Sequence, residues 1–232
     1  MLTGNWLPLA KHAEPDSRPG SCHNDSRLLD DKYLNFIKEN TLMDQAVASS
    51  MEGPHYIKTS PHERLTTIAV NPSVLLTDGQ AVNVLFAGTS RGRVLKLVSF
   101  TEEAGPRTEL IEELQVFPLH VAVNNILISR VEGQLPRLVV LSDHEVKSVP
   151  VERCGDQVDC GGCVGVRDPY CAWNIHAQQC HTHQGSRVDA SSLLQNIAGG
   201  FHSGCGSSSS YSGKLQRKHL PANIFINCGN LN

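Results

Sequence analysis

Apolar positions along this chain change their spacing near residue 63 and again near residue 154. Residues 1–30 keep no period, and Pro15, Pro19 and Gly20, with the polar run around Cys22, read as irregular loop. Leu34, Phe36, Ile37, Leu42, Met43 and Val47 then recur at roughly helical spacing. That predicts one or two short helical turns over 31–48, broken at Asn40-Thr41. From residue 63 the pattern becomes that of strands, with runs at Leu65–Val70, Ala81–Gly88, Arg93–Phe100, Glu109–Phe117, Asn125–Val131, Arg137–Asp143 and Glu145–Val151. In the third run Val94, Leu95, Leu97 and Val98 interleave with Lys96, the signature of a half-buried strand with one wet side. Leu138 to Leu141 is apolar throughout, as a buried inner strand would be. Many short strands joined by turns imply an antiparallel sandwich, barrel or propeller.

From residue 154 glycine and cysteine dominate and the apolar period is lost, so this stretch predicts a small covalently held module. The run GSSSSYSG after Cys205 reads as a flexible tail over 207–232. Composition sharpens this picture in two ways. With 20 Lys and Arg against 23 Asp and Glu, the net charge is 20 − 23 = −3, and no long basic run exists. Nucleic acid and anionic membrane are therefore poor guesses for a partner. Six of the eight cysteines (Cys154, Cys160, Cys163, Cys171, Cys180, Cys205) crowd into one region, whereas Cys22 and Cys228 stand alone. Such density reads as a disulfide framework in an oxidising compartment. The first residues lack the basic start and apolar run of a secretory leader, and no stretch has the length of a membrane span. The expectation is that an export signal, and more sequence besides, precedes this chain.

Two chemical alternatives arise from motifs. Cys160-x-x-Cys163 with Cys180, His181 and His183 has the residue types of a zinc site. That reading leaves Cys154, Cys171 and Cys205 without a role, so a disulfide knot is the better of the two; the histidines are then exposed loop. Gly88-Thr89-Ser90-Arg91-Gly92 matches G-x-S-x-G, but a nucleophile elbow needs a helix after it. Here a β-prone run follows, so the segment reads as a hairpin turn with Gly92 at positive φ. No H-E-x-x-H, P-loop or G-x-G-x-x-G occurs. The chain is read as no enzyme, with no catalytic residue, metal, cofactor or small-molecule substrate. Asn24-Asp25-Ser26 fits the N-glycosylation rule.

Arg167-Asp168-Pro169-Tyr170-Cys171-Ala172-Trp173, with Cys160-Gly-Gly-Cys163 before it and Cys180 after it, resembles the PSI module of semaphorins. Arg18-Pro19-Gly20-Ser21-Cys22, the segments Leu34–Lys38 and Leu42–Val47, and the strands Arg64–Val70, Val84–Thr89 and Arg91–Lys96 resemble the late part of a sema domain. The flavour is nearest the invertebrate transmembrane semaphorins. The resemblance implies a mostly β fold: the last two or three blades of a seven-bladed propeller over 1–152, a disulfide-rich PSI domain over 153–206, then the tail. It implies the bridges Cys154–Cys171, Cys160–Cys205 and Cys163–Cys180, and a PSI core of Asp168, Pro169, Tyr170 and Trp173, the last an apolar plug. Two departures exist: Asn174 stands where the family commonly has Asp, and a fourth bridge found in some PSI domains is missing. The function implied is that of an extracellular or cell-surface guidance ligand, a homodimer in its full-length parent, which binds plexin receptors and directs axon growth and cell migration. The chain would be a fragment of it, with the receptor-binding face on earlier blades and the partner of Cys22 in earlier sequence. The alternatives are a piece of a plexin-like sema and PSI receptor, a structural fragment without independent activity, and, for the cysteines, a Cys22–Cys228 pair.

Overall fold

The structure is a computed structural model that describes residues 25–40, 53–102, 105–131, 134–184, 189–206 and 216–219. Residues 1–53 and 54–232 form two units. Within the first, α1 (Asp31–Glu39) starts at Asp30, whose carboxylate accepts the Lys32 amide, and stops at Asn40, whose N–H reaches the Phe36 carbonyl. Such caps satisfy donors and acceptors that a short helix leaves unpaired. The helical turn expected after Asn40 lies outside the described residues, as do Asn24, Cys22 and Cys228.

Among its described residues the second unit holds eleven strands. β1 (Leu65–Leu75), β2 (Ala81–Thr89), β3 (Arg93–Glu102) and β4 (Gly105–Gln115) form an antiparallel meander, beside which β11 (Gln216–His219) pairs parallel to β4. The last strand falls where the sequence predicted only a flexible tail. β5 (Asn125–Ser129), β6 (Arg137–Leu141) and β7 (Val146–Pro150) form a second antiparallel sheet with β6 central. Val84, Phe86, Val94 and Val98 of the first sheet share one core with Ile126, Leu138, Val140 and Val149 of the second. This is period-2 patterning read from both sides: each strand turns alternate residues into the common layer.

The outward faces are apolar too. Across the first sheet Val70 opposes Leu85, and Leu85 opposes Leu97; Ile68 opposes Ala87, and Ala87 opposes Leu95. Tyr56 and Leu110 cover part of this face, but Ile68 and Val70 stay 60% and 46% exposed. On the second sheet Leu127 opposes Val139 and is itself 53% exposed. A sheet with apolar side chains on both faces is built to have neighbours on both, which is the condition of a propeller blade.

β3 corrects one expectation. Its two faces are both buried, and Lys96, assigned by the sequence to a wet side, is only 4% exposed. Lys96 stands on the core-facing side opposite Phe86 and Glu112, where fixed carboxylates take its charge.

The β2–β3 turn explains the G-x-S-x-G match. β3 follows it directly, and the Ser90 hydroxyl accepts the Arg64 amide at 3.0 Å. Gly92 has φ +70°, and a Cβ there would sit 2.5 Å from the Phe117 carbonyl oxygen. Both facts demand glycine. Gly92→Ala is expected to lower stability by about 2–4 kcal/mol, since it combines left-handed strain with a backbone clash. A shift of the urea midpoint at unchanged slope checks this.

Candidate functional site

The cysteine-rich module begins where β7 ends. α2 (Cys160–Gly165) carries three glycines in its six residues, a sequence of weak helix propensity. Three devices hold it: Asp159 caps its Gly162 amide at 2.7 Å, and bridges leave from Cys160 and Cys163. β8 (Cys171–Asn174) lies between β9 (Gln179–Thr182) and the two-residue β10 (Leu193–Leu194). The structure joins Cys154 to Cys171, Cys160 to Cys205 and Cys163 to Cys180. Trp173 is 6% exposed and packs among these sulfurs with Val164 and Leu194. Cys160 and Cys163 belong to different bridges, so the zinc reading has no thiolate pair to offer.

His181 and His183 are half-buried rather than exposed loop. His181 lies in β9, and His183 Nε2 is 2.9 Å from the Pro169 carbonyl oxygen. Burial pulls the His183 pKa below its usual value. Asn174 Oδ1 accepts the amides of His176 and Ala177 at 2.9 and 3.0 Å. That turn-closing role suits a carboxylate oxygen equally well, so the Asp expected here from the resemblance would make the same bonds.

The side chains of Arg167, Asp168 and Tyr170 reach across to the first sheet, whereas the Pro169 carbonyl stays within the module beside His183. Asp168 Oδ2 accepts Lys96 Nζ at 2.6 Å, and its Oδ1 accepts the Tyr170 amide at 3.0 Å. Lys96 also lies 3.4 Å from Glu112, which in turn pairs with Arg153 at the entrance to the module. Arg167 pairs with Glu109 of β4. Tyr170, 1% exposed, sits in the shared core, and its hydroxyl accepts Asn71 Nδ2 at 2.7 Å. Asn71 Oδ1 in turn accepts Arg130 Nη2 at 2.6 Å. Further along, Gln195 takes the Thr77 amide on its Oε1 at 3.0 Å and donates its Nε2 to the Cys171 carbonyl at 2.8 Å. Gln184 Nε2 donates to the Leu75 carbonyl at 2.6 Å.

Within this joint Lys96, Arg153 and Arg167 face Glu109, Glu112 and Asp168, and Arg107 also pairs with Glu109. Burial alone would pull the Lys96 ammonium down, but the Asp168 and Glu112 carboxylates outweigh it and hold its pKa above the usual lysine value. For Glu112 burial pushes up, and the cations Lys96 and Arg153 more than offset that, leaving it below the ordinary carboxylate range. Burial raises the Tyr170 phenol. Such a cluster of paired charges fixes one docking geometry; a partner removed leaves a buried charge. Nothing in the sequence marked Lys96, Glu112 or Asn71, because each meets its partner far along the chain.

Beside the joint a cavity of about 360 Å³ opens between the β1–β2 hairpin and the 195–202 segment, lined among others by Phe100, Arg107, Ile197 and His202. No helix among the described residues is long and apolar enough to cross a membrane.

Comparison with known proteins matches this architecture. Residues 2–130 fit the family profile described as Sema domain, and residues 153–199 the profile described as Plexin repeat. Semaphorin-1A of Schistocerca americana is 40% identical over 213 residues, which are 88% of this chain and 29% of that protein. The solved Drosophila Semaphorin 1a, extracellular domains 1-2, superposes with a TM-score of 0.75 at 36% identity over 89% of this chain and 41% of that one. The complex of Drosophila Plexin A with Semaphorin 1b gives a TM-score of 0.74 at 35% identity over 84% of this chain and 39% of that one. The chain spans less than a third of the length of the curated relatives it matches.

Proposed function

The chain belongs to the semaphorin family, with sema sequence followed by a plexin repeat, and from that premise we propose that it is part of an extracellular ligand of a plexin receptor that guides growing axons and migrating cells. The observation that supports a plexin as partner is the solved complex of Drosophila Plexin A with Semaphorin 1b, to which the chain is similar over 84% of its length. It acts as a binding protein, not an enzyme, as a member of a family of signalling ligands.

In this reading residues 1–152 are the end of the sema propeller, 153–206 are the PSI module and 207–232 are its tail. The complete ligand works as a homodimer outside the cell, free or anchored. The module serves as a rigid spacer, and the Lys96–Asp168 joint sets its angle to the blades. The apolar outer faces of both sheets are the contact faces for neighbouring blades. The receptor surface lies on the blades that this chain does not contribute.

The test is a binding comparison against one immobilised plexin ectodomain. An intact ectodomain that includes this sequence should bind, and the 232-residue chain should bind about 100-fold more weakly or not at all, because a few hot-spot residues carry most interface energy. Equal binding by the 232-residue chain would place the receptor surface on it instead. Failure of the intact ectodomain on every plexin would remove the plexin reading.

A further inference from the structure

The three bridges of the module differ in access. Cys154, Cys163, Cys171 and Cys180 are 1%, 2%, 3% and 6% exposed, whereas Cys160 and Cys205 lie at the margin of the sulfur cluster, only partly buried. They differ in reach as well. Cys160–Cys205 closes 45 residues, and the other two close 17 each. Cys205 ends a short turn, Ser203–Cys205, in which Ser203 and Gly204 are exposed, and the amides of Gly204 and Cys205 bond only to His202. Phe201 just before it is 63% exposed. Upstream the same segment is anchored firmly: Ile197 is in the core, and Gln195 clamps Thr77 to Cys171. Residues 199–201 turn back on Asn196, which bonds to Gly199, Gly200 and Phe201, and beyond them the segment is tied at its far end by the one partly buried disulfide.

We propose that Cys160–Cys205 is a reducible clasp, opened by an extracellular dithiol while the two buried bridges stay closed. The chemistry is thiol–disulfide exchange. A thiolate of the dithiol attacks the Cys205 sulfur, the Cys160–Cys205 bond breaks, and Cys160 leaves as a thiolate. The second thiol of the reductant then attacks the mixed disulfide and releases Cys205. Two electrons pass to the protein, two protons come from the two thiols by way of solvent, and the reductant ends as its own disulfide. In-line access to a sulfur decides the rate, so the buried bridges are protected unless the module unfolds.

Opening the clasp leaves the docked face intact, because Asp168, Tyr170 and Gln195 bond to the sheet through atoms that the bridge does not hold. What it frees is the exit of the module: residues 198–205, one wall of the 360 Å³ cavity through Ala198 and His202, and the direction in which the chain continues. The clasp thus makes the stiffness of the spacer dependent on the thiol potential outside the cell. This inference stands on burial and connectivity and does not require the plexin reading.

The test uses the oxidised 232-residue chain. Thiols already free are blocked with N-ethylmaleimide, the folded protein is exposed to graded dithiothreitol, and new thiols are labelled with iodoacetamide and assigned by peptide mass. Cys160 and Cys205 are expected to be labelled together at concentrations that leave Cys154, Cys163, Cys171 and Cys180 unlabelled. Hydrogen exchange over residues 198–205 should then rise about tenfold, the protection that roughly one lost tether supplies, with residues 168–174 unchanged. The double variant Cys160→Ser with Cys205→Ser should show the same exchange without reductant. Labelling of all six cysteines in one step, first labelling of a buried pair, or unchanged exchange over 198–205 after reduction would each overturn the proposal.

Discussion

Replacing Lys96 with methionine is expected to cost about 3–5 kcal/mol, the usual penalty for leaving a buried charge without its partner. Methionine keeps the reach and the apolar stem, so packing against Phe86 and the Tyr170 ring changes little. The ammonium is what disappears, leaving the Asp168 oxygen that it meets at 2.6 Å in a nearly dry joint. Urea unfolding without reductant reads the effect as a lower midpoint. The companion Lys96→Met with Asp168→Asn should recover part of the loss, since no unpaired carboxylate then remains at that spot; with Asp168→Asn measured alone as well, the cycle gives the coupling energy of the pair. The same cluster predicts an acid limb. Glu112 has a folded pKa below its ordinary 4.5, so its contribution is complete above that pH and fades as pH falls through the folded value. In the Lys96→Met chain that limb should flatten, because the cation that favours ionised Glu112 is gone. A loss under about 1 kcal/mol would mean that the module docks by its apolar contacts alone.

Much of the sheet architecture was legible from alternation. The runs predicted at Ala81–Gly88 and Arg93–Phe100 became β2 and β3 with ends one or two residues further on. β1 was underestimated for a physical reason. The run predicted at Leu65–Val70 stops short of Pro72, yet β1 is an edge strand, and a register shift between Asn71 and Val74, with Ser73 at φ +55°, absorbs the proline. The helix at Cys160 was invisible because its glycines argue against it; its cap and two bridges are what impose it. Bare spacing could not choose among the fifteen pairings open to six cysteines; only the likeness to a known module suggested one.

The joint was the least legible part. Lys96 and Asp168 are 72 residues apart, and Asn71 and Tyr170 are 99 apart. Local pattern sees a lysine among valines and infers water, because most lysines with that spacing face water. The residues Asp168 and Tyr170 stood out as chemistry but pointed to the interior of the knot. They do hold its first turn, through the Asp168–Tyr170 amide bond, while their side chains reach across to the sheet. Residues that recur in a motif need not serve the module that carries the motif.

The bridge that hands this joint to the rest of the chain is Cys154–Cys171, and removing it with paired alanines should cost about 3–5 kcal/mol. Chain entropy for its 17-residue loop supplies about 3 kcal/mol of that, and the two nearly dry sulfurs leave a cavity besides. Position adds a consequence that the number omits. Cys154 follows Val151 and Arg153, which end the sheet core and pair with Glu112, and Cys171 follows Asp168 and Tyr170, which dock on the same sheet. The bridge thus closes a ring through both halves of the joint. Without it, and with Asp168 still held by Lys96, the module should loosen internally before it undocks. Cys163–Cys180 and Trp173 would then report first, by reduction of Cys163–Cys180 at lower dithiothreitol, read as labelling of the two freed thiols, and by a tryptophan emission shift at urea concentrations below the main transition. A single coincident transition for all probes would show instead that sheet and module unfold as one cooperative unit.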